Sequence, residues 1–168
     1  MPTAIVWFRK CLRLHDNPAL TWACESSEVD SILPVFIMDE ELGSEGTGGI
    51  GFNRARFLVQ SLRDLDDSLR RELGLRLRIL RGDILETMES VINSLDGGAP
   101  YLAYEYCSEP KSLFVSAEIS RWELSGKMKF EPRIFSGSHT LLDIEKTVCS
   151  ENYSCLLYTS DAADDWSS

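Results

Sequence analysis

Side chains suited to covalent or metal chemistry are few and scattered in this sequence of 168 residues. Its two histidines, His15 and His139, do not support a Ser/His/Asp set, and no Gly-x-Ser-x-Gly elbow is present. His15 precedes a helix start, where a capping or surface role fits, and His139 reads as a loop histidine on the sheet edge. The five cysteines (Cys11, Cys24, Cys107, Cys149 and Cys155) are odd in number and form no Cys-x-x-Cys pair. Neither histidine lies near a cysteine pair, so zinc is unsupported, and free thiols in a reducing compartment are expected. There is no GxGxxG or Walker A sequence. GTGGIGF (Gly46 to Phe52) has the glycines, but it follows an acidic loop instead of leaving a strand, so a flexible connector is favoured over a phosphate cradle. What remains is charge placed just after apolar runs: Arg9, Asp39, Gly82 and the residues after Tyr106.

Those positions matter because of the elements that carry them. Five short apolar runs are expected as strands: Thr3 to Phe8, Ser31 to Met38, Arg76 to Gly82, Tyr101 to Tyr106, and a segment between Lys129 and Phe135. Pro34 inside the second weakens that assignment slightly. Between them lie helical stretches. Asp16 is the expected N-cap of the first, with Pro18 just inside it. The second runs from Asn53 to Leu73, where Phe57, Leu58, Leu62, Leu65 and Leu69 recur at three- and four-residue spacing and Gly74 ends the pattern. Asp83 to about Leu95 and Ser112 to Ser125 follow. Strand and helix in repeated alternation predict a doubly wound α/β domain over residues 1–150, with a five-stranded parallel sheet and helices on both faces. Ligands of such folds sit at the carboxyl ends of the strands, where strand order reverses.

Composition narrows the function classes. The net charge of −10 argues against the chain as a whole gripping nucleic acid, which needs clustered cations. No apolar run approaches the roughly eighteen residues of a membrane span, and the opening MPTAIVWFRK does not read as a signal peptide. An intracellular setting is expected.

The order of the motifs is more specific than any one of them. VWFRKCLRLHDNPAL (Val6 to Leu20) resembles the opening signature of the photolyase/cryptochrome family. VFIMDEEL, NRARFLVQSLRDLDDSLR, RLRILRGD, YEYCSEP and GSHTLLDIEK follow in that family's order, covering about residues 3 to 148. The GSHTL and NRxRFL forms lean towards animal-type cryptochromes and (6-4) photolyases. The resemblance implies a Rossmann-like N-terminal domain whose role is to hold an antenna chromophore, a folate or deazaflavin, and to dock on a helical FAD-binding domain absent from this chain. The parent would be a blue-light flavoprotein, either repairing damaged DNA or acting on a signalling partner, in the nucleus or else in plastid or cytosol. No membrane or metal partner is implied.

Carried over by motif, the antenna-site candidates are Arg9, Phe36, Asp39, Cys107 and Glu109. Phe36 offers a stacking face, and the charged residues offer hydrogen bonds to ring heteroatoms. In the alternative, Arg9 and Asp39 pair with each other and with loop backbone. After SEP the family has a polar, charged run where this chain has Lys111, Ser112, Leu113, Phe114 and Val115, which weakens the folate reading in particular. Arg13 and Asp16 are expected to be structural, and Arg54, Arg56, Asp64, Asp66 and Asp67 to form a solvated helix face. Two other readings stay open: a stand-alone α/β module binding a nucleotide or flavin without catalysis, and a non-binding interaction domain. Residues 155–168 do not fit the fold. CLLYTSDAADD resembles a translated sequencing adapter, so this stretch is expected to be non-native, with an acidic disordered tail as the alternative.

Overall fold

A computed structural model describes residues 2–39, 51–95, 100–126 and 128–136. The glycine-rich stretch 40–50, the turn at 96–99, His139, Cys149, Cys155 and the 155–168 segment lie outside the described residues. Among the described residues nine elements alternate: β1 (Thr3–Phe8), α1 (Pro18–Glu25), β2 (Ser31–Met38), α2 (Phe52–Leu73), β3 (Arg78–Arg81), α3 (Ile84–Asn93), β4 (Tyr101–Glu105), α4 (Pro110–Ser125) and β5 (Glu131–Phe135). The strands form one sheet in the order β3-β2-β1-β4-β5, and every neighbouring pair is parallel. This is the doubly wound architecture expected from the alternation.

β1 lies at the centre of the sheet, and its near-continuous apolar sequence suits a strand covered on both faces. Because side chains alternate, Ile5 and Trp7 join Val35, Ile37, Leu102 and Tyr104 beneath α3 and α4, which contribute Met88, Val91, Ile92, Val115, Ile119 and Trp122. Ala4, Val6 and Phe8 face the other way with Phe36 and Ala103, under Ala19, Leu20 and Ala23 of α1 and Leu62, Leu65 and Leu69 of α2. Full burial of each large side chain contributes about 1.5–3 kcal/mol. Pro34 is accommodated because β3 begins its pairing opposite Val35, so the proline sits just outside that ladder.

Local signals fix the helix ends, with one correction. The N-cap of α1 is Asn17, not Asp16: the Asn17 side chain accepts from the Leu20 N–H at 3.0 Å and donates to the Arg13 carbonyl. Asp16 instead takes the left-handed backbone, φ 49°, that turns the chain into the cap, and Arg13 donates to its carbonyl. Gly74 ends α2 at φ 68° as the sequence anticipates, and Asp83 caps α3 through the Leu85 and Glu86 N–H groups. The start of α2 is the other departure. Leu62, Leu65 and Leu69 are buried, but Phe57 is 69% exposed and Phe52 79%. The apolar stripe touches the sheet only along the later turns of the helix.

Candidate functional site

The sheet order places a switch point at β1. From its two sides the chain proceeds to β2 and β3 in one direction and to β4 and β5 in the other. The carboxyl ends of β1 and β4 therefore mark the usual ligand position in such sheets, the crevice between the two diverging connections. Arg9 leaves β1 there, Asp39 follows β2, and Cys107 and Glu109 follow β4. α4 begins at this same edge with Pro110 and has no side-chain cap.

Arg9 is the centre of the arrangement. Its guanidinium carbon lies 4.5 Å from the Trp7 ring centroid and 5.6 Å from that of Tyr104, and the two rings contact each other at 5.5 Å. Both rings belong to the α3/α4 face, and their π faces stabilise the cation. One guanidinium nitrogen donates to the Ser112 carbonyl in the first turn of α4 at 3.4 Å. The other terminal nitrogen is buried without a hydrogen-bond partner. Burial pulls the Arg9 pKa down; Cys107, Tyr104, Glu109 and Glu105 oppose that shift through their charge when ionised. Arginine nevertheless stays protonated, so Arg9 is a half-buried cation with one buried donor unused. Burial pushes the Tyr104 hydroxyl up, with Ser116 and Arg9 acting the other way.

Around Arg9 the charges pair locally instead of with it. Lys10 meets Glu109 at 2.8 Å, and Lys111 meets Asp39 at 2.5 Å. A hydrogen bond and the charge from Lys10 hold the Glu109 carboxyl below its ordinary range, helped by Arg9 and Arg54. α2 starts at the same edge of the parallel sheet, since it follows β2. The direct Arg9–Asp39 pair that the sequence allowed is not formed. Each exposed pair is worth under about 1 kcal/mol, so a ligand can exchange with it at little cost.

Four of the five expected residues thus share one edge. Phe36 does not join them: it is 5% exposed and packs under α2 on the opposite face of the sheet, so its ring is core. The sequence reading missed Lys111, Ser112 and Glu105. Glu105 is a buried carboxylate ending β4, and its signal was a charge closing the apolar run YLAY. Its carboxyl accepts from Cys11, whose thiol is pushed up first by burial and then by Glu105. Val115, in the stretch that departs from the family, is a core residue, while Leu113 and Phe114 are exposed beside the site. Among the described residues no cluster of three or more His, Cys, Asp or Glu could hold a metal ion, and no helix is long and apolar enough to cross a membrane.

Comparison with known proteins supplies a family context. Residues 4–159 match the family described as DNA photolyase. The chain is 37% identical over 145 residues to Cryptochrome-1 of Spalax judaei, covering 86% of this chain and 23% of that protein. It is 35% identical over 148 residues to the (6-4)DNA photolyase of Arabidopsis thaliana, covering 83% of this chain and 25% of that one. Among solved structures, a Synechocystis cryptochrome superposes with a TM-score of 0.77 at 26% identity, over 98% of this chain and 33% of that chain. An archaeal photolyase from Sulfolobus tokodaii, solved with two FAD molecules, gives 0.65 at 28% identity over 79% and 29%. The chain therefore spans about a quarter of the length of the curated relatives it matches.

Proposed function

Because the chain belongs to the DNA photolyase family, as its N-terminal α/β domain, we propose that its crevice at the carboxyl ends of β1 and β4 holds an antenna chromophore. The parent protein in this reading is a blue-light flavoprotein whose FAD lies in a separate helical domain, and whose activity is either DNA repair or signalling. An antenna group supplies light absorption and transfer of excitation energy to the flavin. The observation that carries the reading is the Arg9 guanidinium, placed over two rings with one buried donor unused.

The residues of the crevice fit the polar part of such a ligand. The free Arg9 donor suits a ring carbonyl, carboxylate or phosphate oxygen, and the two flanking ion pairs can open to further heteroatoms. They fit the stacking part less well, since Phe36 is enclosed in the core and Arg9 covers Trp7 and Tyr104. Phe114, 60% exposed in the first turns of α4, is the aromatic face left near the edge. This balance favours a flavin-like tricycle with a charged side chain, a deazaflavin or a second FAD, over a folate. The two FAD molecules of the archaeal relative, described there as implying a light-harvesting cofactor, support the same preference.

The test is titration of the purified chain with a deazaflavin, FAD and a reduced folate, followed by quenching of ligand fluorescence. Saturable binding of the deazaflavin or FAD, weakened about tenfold or more by Arg9→Gln, is expected. If none of the three binds, or Arg9→Gln binds as well as the native chain, the antenna reading fails and the non-binding interaction domain takes its place.

A further inference from the structure

β3 ends the sheet on one side, and the segment leading through it is the most basic in a chain of net charge −10. Arg76, Arg78 and Arg81 are all exposed. Arg76 lies near enough to Asp66 to act on its charge, but Arg78 and Arg81 make no ion pair or hydrogen bond among the described residues. Alternate residues of a strand turn their N–H and C=O to opposite sides, so half the backbone groups of β3 face away from β2. Between β3 and α3 a cleft of about 540 Å³ opens beside this edge, with Thr87, Ser90 and Ser94 supplying hydroxyls and Arg78, Leu80 and Arg81 the strand side. Two acidic side chains also line it; Asp83 is engaged in capping α3, which leaves Glu86 as the opposing charge.

From this edge we infer an interaction surface for an extended acidic peptide that adds a sixth strand beside β3. The register specifies its sequence. Residues directly opposite one another on neighbouring strands share a face. Arg78 and Arg81 are three apart and point to opposite faces, with Ile79 (48% exposed) and the partly buried Leu80 between them. The complementary strand carries carboxylates at positions i and i+3, with two apolar residues between. Main-chain hydrogen bonds supply affinity and the two guanidinium–carboxylate pairs supply selectivity.

A second copy of this chain is a poorer occupant, because pairing β3 with itself brings two copies of this arginine-bearing edge together and their like charges repel. The arginines thus favour an acidic partner. This inference is independent of the antenna reading, since β3 lies two strands away from the crevice.

The test uses the full 168-residue chain and a fluorescein-labelled, end-blocked peptide with Glu-Val-Ile-Glu at its centre, read by anisotropy. Saturable binding is expected, with a rearranged Glu-Glu-Val-Ile peptide weaker by roughly tenfold. The R78E/R81E variant should lose the acidic peptide and gain a Lys-Val-Ile-Lys one. That swap separates recognition from misfolding. Equal binding of the rearranged peptide or of a short oligothymidylate would mean a polyanion surface without register and overturn the proposal. So would absence of saturable binding, or a charge-reversed variant that still prefers the acidic peptide.

Discussion

Single side chains at the crevice are set by their electrical surroundings. Cys11 and Glu105 form a small polar contact between the loop after β1 and the end of β4. Burial and the adjoining carboxylate both keep the Cys11 proton on sulfur, so alkylation of this thiol should be slow at neutral pH. Glu105→Gln removes the repelling charge while keeping the shape, and the rate of Cys11 alkylation by iodoacetamide should rise several-fold. Peptide mass spectrometry over a time course reads this residue separately from Cys24 and Cys107. Asp66 makes a second prediction. Burial pushes its carboxyl up, but the Leu77 N–H, at 2.9 Å, and the Arg70 ion pair outweigh that and hold it below the ordinary value of 3.8. A carboxyl depressed in the folded state stabilises the protein above the unfolded pKa and loses that contribution as pH falls through the folded value. Asp66→Ala should therefore cost about 1–2 kcal/mol at pH 7, mainly by leaving the Leu77 N–H unpartnered. The difference from the native chain should shrink progressively below about pH 4, which urea unfolding at several pH values would follow.

At the scale of elements, periodicity and punctuation in the sequence carried most of the architecture. Five apolar runs, alternating helices, Gly74 and Asp83 were legible because each rests on a local rule: pleat alternation, a left-handed cap, a side-chain cap. What the sequence could not convey was tertiary choice. Asp16 and Asn17 are both good capping residues, and the Arg13 anchor decides between them by turning Asp16 left-handed. Phe57 fits the helical stripe, yet in the early turns of α2 only Leu58 packs against the core and the Phe57 ring stays exposed. Asp66 looks like one more charge on a solvated face until the chain returns at Leu77 to use it. At the candidate site, Arg9, Asp39, Cys107 and Glu109 were legible as strand-end residues, and the structure places them on one edge. Phe36 lies in the core layer under α2 instead of beside them, since the strand end identifies the edge but not which layer a ring enters. Lys111 and Ser112 escaped notice because their role comes only from where α4 starts.

Across the whole molecule the apolar surface is unevenly spread. Phe52, Phe57 and Val59 of α2 and Leu113 and Phe114 of α4 are exposed, and both helices start at the carboxyl edge of the parallel sheet. Exposed apolar side chains at these two helix starts, one on each face of the sheet, promote association. The isolated chain should self-associate with rising concentration, and a Phe57→Ser/Phe114→Ser variant should remain monomeric to higher concentration in sedimentation velocity. Its thermal midpoint should hardly change, because substitution at such exposed positions usually alters stability by less than about 0.5 kcal/mol. The central place of β1 governs how the chain comes into being. It leaves the ribosome before the strands it pairs with, and it has much to hide, being buried from Ala4 to Phe8. Its partner on one side, β2, follows within thirty or so residues, but the other, β4, pairs Leu102 with Ile5 and so arrives roughly a hundred residues later. At ordinary synthesis rates of about 5–20 residues per second, one edge of this apolar strand stays open for several seconds. During that interval it is a template for wrong pairing, and the nascent chain needs chaperone cover until Tyr101–Glu105 emerges.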